Sequence, residues 1–171
     1  MTSNSRLETI QIDTREKQNE FIQEFIMQRG YPSFKSKMFV GDYQFVCNPF
    51  FVIDRKASLS EVYGNMTKGH KAFKNEMERA RANKIHVVIL VEEENIRTLS
   101  DVKNWQNPQA KYSSKALSGY ELFRRMDTFA FNHGCEFKFI DHDAYAETLV
   151  RLLEEARDKW LKAVSGGIDS G

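Results

Sequence analysis

Hydrophobic positions change their period several times along the chain, and each change marks an element. Leu7, Ile10 and Ile12 precede a polar turn and predict a strand over Leu7 to Asp13. Phe21, Ile22, Phe25 and Ile26 recur at helical spacing, so a helix is expected over about Lys17 to Arg29, with Gly30 as its C-terminal cap. Pro32 keeps the following residues out of a helix. Lys37 to Val46 and Phe50 to Lys56 flank the short turn Cys47-Asn48-Pro49 and read as a hairpin. Ser58 to about Asn83 is helical, interrupted near Gly64 and Gly69, with Phe73, Met77 and Ala80 as an apolar stripe. Ile85 to Val91 is continuously apolar, as in a strand covered on both faces.

The second half reads less evenly. Glu92 to Lys111 suggests a loop with a short helix near Thr98 to Trp105. Ser113 or Ser114 is placed to cap a helix reaching His133, with Ala116, Tyr120, Phe123 and Ala130 on one face and Gly134 ending it. Glu136 to Ile140 is a last strand. A final helix, capped by Asp143, carries the stripe Tyr145, Leu149, Leu152, Leu153, Ala156 and Trp160. The predicted order β-α-β-β-α-β-α-β-α implies an α/β fold, a central mixed sheet flanked by helices.

The chain has 171 residues, enough for one domain with a sizeable core; residues 1–164 are expected to form it. Residues 165–171 read as a flexible tail or an expression remnant. A net charge of +1 gives no overall basic signature, so any nucleic-acid contact must come from a local patch. Cys47 and Cys135 stand far apart and read as reduced thiols. No stretch approaches the roughly 18 apolar residues of a membrane span, and Met1 to Ser5 lack a signal-peptide core. The expected location is cytoplasmic, with no membrane partner.

The residues with the most chemistry lie on the hairpin. In Asp54-Arg55-Lys56, the first and third side chains emerge on one face and Arg55 on the other. Asp42 lies on the partner strand, where the hairpin can bring it close. Two ionised carboxylates repel at short range, and a divalent cation removes that penalty. Oxygen ligands of this kind favour Mg²⁺ or Mn²⁺, which can activate a water beside a phosphodiester. Lys56 is placed to orient that water or to stabilise transition-state charge. By spacing alone, Asp-x-Lys on a strand also fits a chance surface pair.

Ile10-Gln-Ile-Asp-Thr-Arg-Glu16 resembles the first-strand motif of XPF-type nuclease domains, Val40-Gly41-Asp42-Tyr43 their Gly-Asp-aromatic motif, and Val52-Ile53-Asp54-Arg55-Lys56 their Glu-Arg-Lys signature. The stretches Ser58 to Met66 and Phe73 to Ala80 are similar to compact bacterial and phage members, so the likeness runs from about Ile10 to Val91. The resemblance places the chain in the PD-(D/E)XK superfamily and implies a restriction-endonuclease-like fold. It also implies a metal-dependent DNA endonuclease, often acting at branched structures or flaps in repair and recombination. Under that resemblance Asp42, Asp54 and Lys56 are catalytic. Asp42, Asp54, Glu16 and Asp13 line the metal site, and Arg55 matches the middle Arg. Two positions depart from the pattern: Asp54 replaces the usual Glu, and Ser60, with Glu61 beside it, replaces a common Asp. A catalytically silent DNA-binding scaffold is the alternative function, and a homodimer or protein partner is compatible with either.

Other residues carry weaker signals. Glu76 lies beside the Phe73-Met77 stripe, so it supports the site or is a solvated helix acid. Lys68, His70, Lys71 and Lys74 head the densest basic stretch and are expected to track the DNA backbone, although a solvated helix face would look the same. No histidine has zinc-ligand spacing. Tyr43 is expected in the core, Gly41 at a bend or close backbone approach, and Trp105 either stacking on a base or buried.

Overall fold

A computed structural model of the chain describes residues 8–166. Six strands form one sheet: β1 (Ile10–Ile12), β2 (Ser33–Lys35), β3 (Tyr43–Phe45), β4 (Phe51–Lys56), β5 (His86–Glu92) and β6 (Glu136–Ile140). Their spatial order is β2-β1-β3-β4-β5-β6. β1 pairs parallel with β2 and antiparallel with β3; β3 and β4 are antiparallel; β4, β5 and β6 run parallel. Five helices cover the sheet: α1 (Glu20–Gln28), α2 (Leu59–Met66), α3 (His70–Ala82), α4 (Gly119–His133) and α5 (His142–Gly166). The mixed α/β architecture and the hairpin agree with the sequence pattern.

The strand alternation sorts the core into two halves. Val52, Val87, Ile89 and Val91 face α2, α3 and α4, packing on Phe73, Met77, Leu122, Met126 and Phe129. Ile53, Val88 and Leu90 point the other way, onto Ile22, Ile26, Tyr145, Leu149 and Leu153 of α1 and α5. β5 is thus apolar on both sides because both sides are covered.

Several expectations need correction. β2 is an additional edge strand; its three residues are all exposed, so no alternation marked it. β3 is shorter than the expected Lys37 to Val46. The Asp13 carboxylate captures the Met38 N–H at 2.7 Å, and the Asp13 N–H donates to the Asp42 carbonyl, so the chain before Tyr43 bends instead of pairing as a strand. α1 begins at Glu20, because Gln18 takes φ 51° and the side chain of Asn19 turns to the Tyr43 hydroxyl.

α4 begins at Gly119 and not near Ser113. Its cap is Ser118, whose hydroxyl accepts from the Glu121 N–H while the Glu121 carboxylate accepts from the Ser118 N–H. Gly119 lies against the carbonyls of Val102 and Trp105, where an added Cβ would approach to 2.5 and 2.7 Å. Leu122, Met126 and Phe129 therefore form the buried stripe, Tyr120 is exposed, and Ala116 lies outside the helix. α5 starts at His142, which puts Asp143 inside its first turn and not at a cap. It ends at Gly166, so residues 165 and 166 of the expected tail are helical and the rest lie outside the described residues. The short helix expected near Thr98 to Trp105 is a 3-10 turn, Leu99–Asn104, and a second 3-10 turn, Pro108–Lys111, follows it. Trp105 packs half-buried beside Tyr63, the core reading of that residue. Cys47 and Cys135 are both free thiols.

Candidate active site

The bend before β3 delivers Asp42 to β4. Gly41 adopts φ 70°, and an added Cβ there would meet Val52 Cγ2 at 2.9 Å and the Ile53 carbonyl at 3.2 Å. Only a glycine allows this left-handed turn and close approach without strain. The Asp42 N–H then donates to the Ile53 carbonyl at 2.8 Å, and Asp42 Oδ2 accepts from the Arg55 N–H at 2.7 Å. Tyr43 pairs with Ile53, so Asp42 and Asp54 meet at one corner of the sheet. Burial, and next the charge of Asp54, hold the Asp42 carboxyl well above the ordinary aspartate range.

Asp54 is buried at 3% exposure. Lys56 Nζ lies 2.6 Å from Asp54 Oδ1, as a charge contact that is not aligned as a hydrogen bond, and Oδ1 has no other partner among the described residues. Burial opposes the Lys56 ammonium, but the carboxylates of Asp54, Asp42 and Glu61 outweigh it and raise its pKa. The same Nζ sits 5.3 Å over the Phe73 ring. Glu76 Oε1 accepts from the Gly41 N–H at 3.2 Å, tying α3 to the bend that carries Asp42.

On the opposite face of β4, Arg55 is clamped between Glu16 and the rings of Phe21 and Tyr145. Glu16 also accepts from the Tyr43 hydroxyl at 2.6 Å, and that hydroxyl accepts from Asn19 Nδ2 at 2.9 Å. Burial first, and then the Glu16 charge, push the Tyr43 pKa upward. Tyr43 is in the core as expected, yet its hydroxyl is also a hinge of this network.

The four carboxylates expected from the sequence to line a metal site take up different surroundings. Among the described residues, no group of three or more His, Cys, Asp or Glu side chains could hold a metal ion. Asp13 is fully buried, bonded to the N–H and Nε of Arg15 and to the Met38 N–H. Burial opposes its charge, but these donors prevail and lower its pKa. Glu16 is engaged by Tyr43 and Arg55. Asp42 and Asp54 remain together. This pair still fits a small hard cation: Mg²⁺ is commonly held by one or two carboxylates plus water and substrate phosphates. Asp54 Oδ1, which accepts no aligned hydrogen bond, and the raised pKa of Asp42 suit a carboxylate pair with room for further positive charge.

Ser60 is exposed in the first turn of α2, and Glu61 accepts from the Ala57 N–H at 2.6 Å, so Glu61 is engaged at the helix start. Two residues near the site escaped the sequence reading. Glu93 accepts from the Leu59 N–H and anchors α2 just beyond Lys56. Arg15 lies within the fields of Glu76 and Asp42. The alternation Asp13-x-Arg15 was the available signal for Arg15; Glu93 had none. Among the expected DNA contacts, Lys68, His70 and Lys71 are exposed at the α2–α3 junction. Lys74 is half-buried, 3.6 Å from Glu78.

The ERCC4 domain family model matches residues 12–152. The chain belongs to the ERCC4 domain family. The match extends beyond the likeness seen from about Ile10 to Val91 and takes in α4 and β6. The fold resembles XPF from Aeropyrum pernix at a TM-score of 0.58 and 16% identity, covering 85% of this chain and 64% of that one. It also resembles XPF from Aeropyrum pernix in complex with DNA, at a TM-score of 0.59 and 16% identity, covering 91% and 66%. The chain thus spans just under two thirds of those proteins. No curated protein matches its sequence. Among the described residues of this ERCC4 domain, no helix is long and apolar enough to cross a membrane.

Proposed function

We propose that this ERCC4 domain is a divalent-metal-dependent endodeoxyribonuclease, cleaving phosphodiester bonds at branched or flap structures. The observation that carries the reading is the juxtaposition of Asp42, Asp54 and Lys56 at the end of the β3–β4 hairpin. Membership of the ERCC4 family and a similar fold in an XPF in complex with DNA support DNA as the substrate.

Asp42 and Asp54 would hold the cation, and the Arg55 N–H fixes the aim of the Asp42 carboxylate. Bound Mg²⁺ or Mn²⁺ supplies Lewis acidity toward a phosphoryl oxygen and lowers the pKa of an attacking water. Lys56 orients that water and offsets charge on the transition state. Attack forms one P–O bond and breaks the bond to the 3′ oxygen, leaving 5′-phosphate and 3′-hydroxyl ends. Lys68, His70, Lys71 and Lys74 hold the backbone beside the site.

A gel assay tests this with supercoiled plasmid and a labelled flap or fork DNA in Mg²⁺ or Mn²⁺. Cleavage lost in Asp54→Asn and Lys56→Ala, both still folded, is expected; full activity in Lys56→Ala would remove that residue from the mechanism. A catalytically silent DNA-binding scaffold is the second reading. Calorimetry with Mn²⁺ separates the two readings, because a scaffold has no need to retain the ion.

A further inference from the structure

A groove of about 800 Å³ runs between the α2–α3 junction and α4, outside the carboxylate site. α3 lends it His70 and Lys74; α4 lends Arg124, Arg125 and His133. Its acid is Glu121, whose carboxylate is already bonded to the N–H and hydroxyl of Ser118. Positive charge is therefore concentrated here in a chain whose net charge is only +1. Burial lowers the pKa of the His133 imidazole; Glu78 pulls it up, and Lys74, His70 and Arg81 push it down.

Behind this wall Leu117 is half-buried, while Met66 and Phe129 are packed in the core. Phe129 carries the rings of His133 and His70 at 4.5 and 5.9 Å and stacks on Phe73 at 5.1 Å. Phe73 in turn lies under Lys56, so the groove adjoins the catalytic corner with one aromatic ring between them. Thr128 and Asn132 add neutral hydrogen-bonding groups along the wall. A positively charged groove of this kind is used to track the backbone of single-stranded nucleic acid. The volume admits a short run of nucleotides.

We infer that this groove seats the single-stranded arm of the DNA substrate, with Lys74, Arg124 and Arg125 on its phosphates. The inference rests on the reading of the protein as acting on DNA, and it adds α4 to the contact surface. Arg125 also donates to the Met66 carbonyl at 3.0 Å, so it is left intact in the test.

The test is fluorescence anisotropy in EDTA, with a fork carrying a single-stranded arm and a blunt duplex of equal length. Wild type is compared with the double variant Lys74→Gln/Arg124→Gln and with Arg151→Gln on α5 as control. In the double variant, the fork Kd is expected to rise about tenfold, and the log Kd against log salt slope to fall by about 1.4, for two phosphate contacts on a single strand. Duplex affinity stays within about twofold, and Arg151→Gln binds both as wild type does. Unchanged fork binding in the double variant overturns the inference. Equal loss on fork and duplex overturns it as well, assigning the groove to duplex backbone. A wild type that binds neither DNA overturns it together with the DNA reading. Because no cleavage is read, a protein that binds the fork as described but cuts nothing upholds the groove while refuting the nuclease.

Discussion

Replacing Lys56 with Gln isolates what the ion pair does for the fold from what it does for chemistry. Asp54 is almost fully buried, and Lys56 Nζ is its charge partner at 2.6 Å. Breaking a buried pair from one side leaves an uncompensated charge and costs about 3–5 kcal/mol. Lys56 keeps 13% of its side chain exposed, so water reaches the ammonium end and the lower figure, about 3 kcal/mol, applies. For a fold of this size that corresponds to a fall in Tm of about 6–12 °C. Removing both charges, in Asp54→Asn/Lys56→Gln, is expected to leave stability within about 1 kcal/mol of wild type. The two sites are therefore coupled by about 2 kcal/mol or more. Urea unfolding in EDTA, followed by tryptophan fluorescence and circular dichroism, measures the cycle. Adding Mn²⁺ should rescue Lys56→Gln more than wild type, because the cation takes over the role of the ammonium; at 100-fold excess over Kd the gain is about 2.7 kcal/mol. Single variants as stable as the double variant, with no excess rescue by Mn²⁺, would refute the reasoning. The cycle also guards the activity assay, since lost cleavage in a Lys56 variant means something only in a folded protein.

Three further outcomes follow from the same geometry. Tyr43→Phe strips the buried Asn19 Nδ2 of its acceptor and leaves Glu16 with Arg55 contacts of 3.4 and 3.5 Å, so a loss of about 2–4 kcal/mol is expected on urea unfolding; a loss under about 0.5 kcal/mol would discount the network. Asp42→Asn should stabilise the metal-free protein at neutral pH. Burial and Asp54 raise the folded pKa of Asp42, so its contribution is complete below the unfolded value of about 3.9 and is lost as pH rises through the folded value, whereas Asn stays neutral. Tm measured in EDTA across that range should show the variant gaining on wild type as pH rises, and parallel profiles would contradict this. Gly41→Ala forces a Cβ to 2.9 Å from Val52 at φ 70° and should cost about 1–3 kcal/mol in thermal unfolding while displacing Asp42 enough to reduce cleavage.

The sequence was most legible where one periodicity ruled a whole element. β4, β5 and α3 were readable because burial on known faces leaves a regular mark in residue type. It was least legible where a local polar bond overrode the pattern. The Asp13–Met38 bond bends a segment that reads as strand, and the Ser118–Glu121 box moves the start of α4 past the equally serine-rich Ser113-Ser114. β2 is an edge strand with every residue exposed, so nothing in its composition separated it from a loop. The Asp42–Asp54–Lys56 corner could be anticipated from alternation across a hairpin. The engagement of Asp13 by Met38 and of Glu16 by Tyr43 and Arg55 could not, because those partners are gathered by tertiary structure and not by spacing.

That engagement explains why β4 carries an Arg between its acid and its lysine. Alternation gives Asp54 and Lys56 one face and Arg55 the other, so Arg55 is too far round the strand to touch the same phosphate. Its side chain is fixed by Glu16 and two aromatic rings, and its own N–H is the donor that orients Asp42. One residue thus anchors the strand on the α1–α5 side and aims a carboxylate on the other. Glu16, expected from the resemblance to line the metal site, holds that anchor through Arg55 and Tyr43. The shorter Asp54 is compatible with the same design. Its carboxylate stays close to the strand, and Lys56 on the same face still reaches it at 2.6 Å, so acid and ammonium meet without the extra methylene of glutamate. The chemistry-bearing face consequently depends on the packing of the opposite face, and substitutions around Glu16 and Tyr43 should weaken cleavage through the position of Asp42 rather than through contact with DNA.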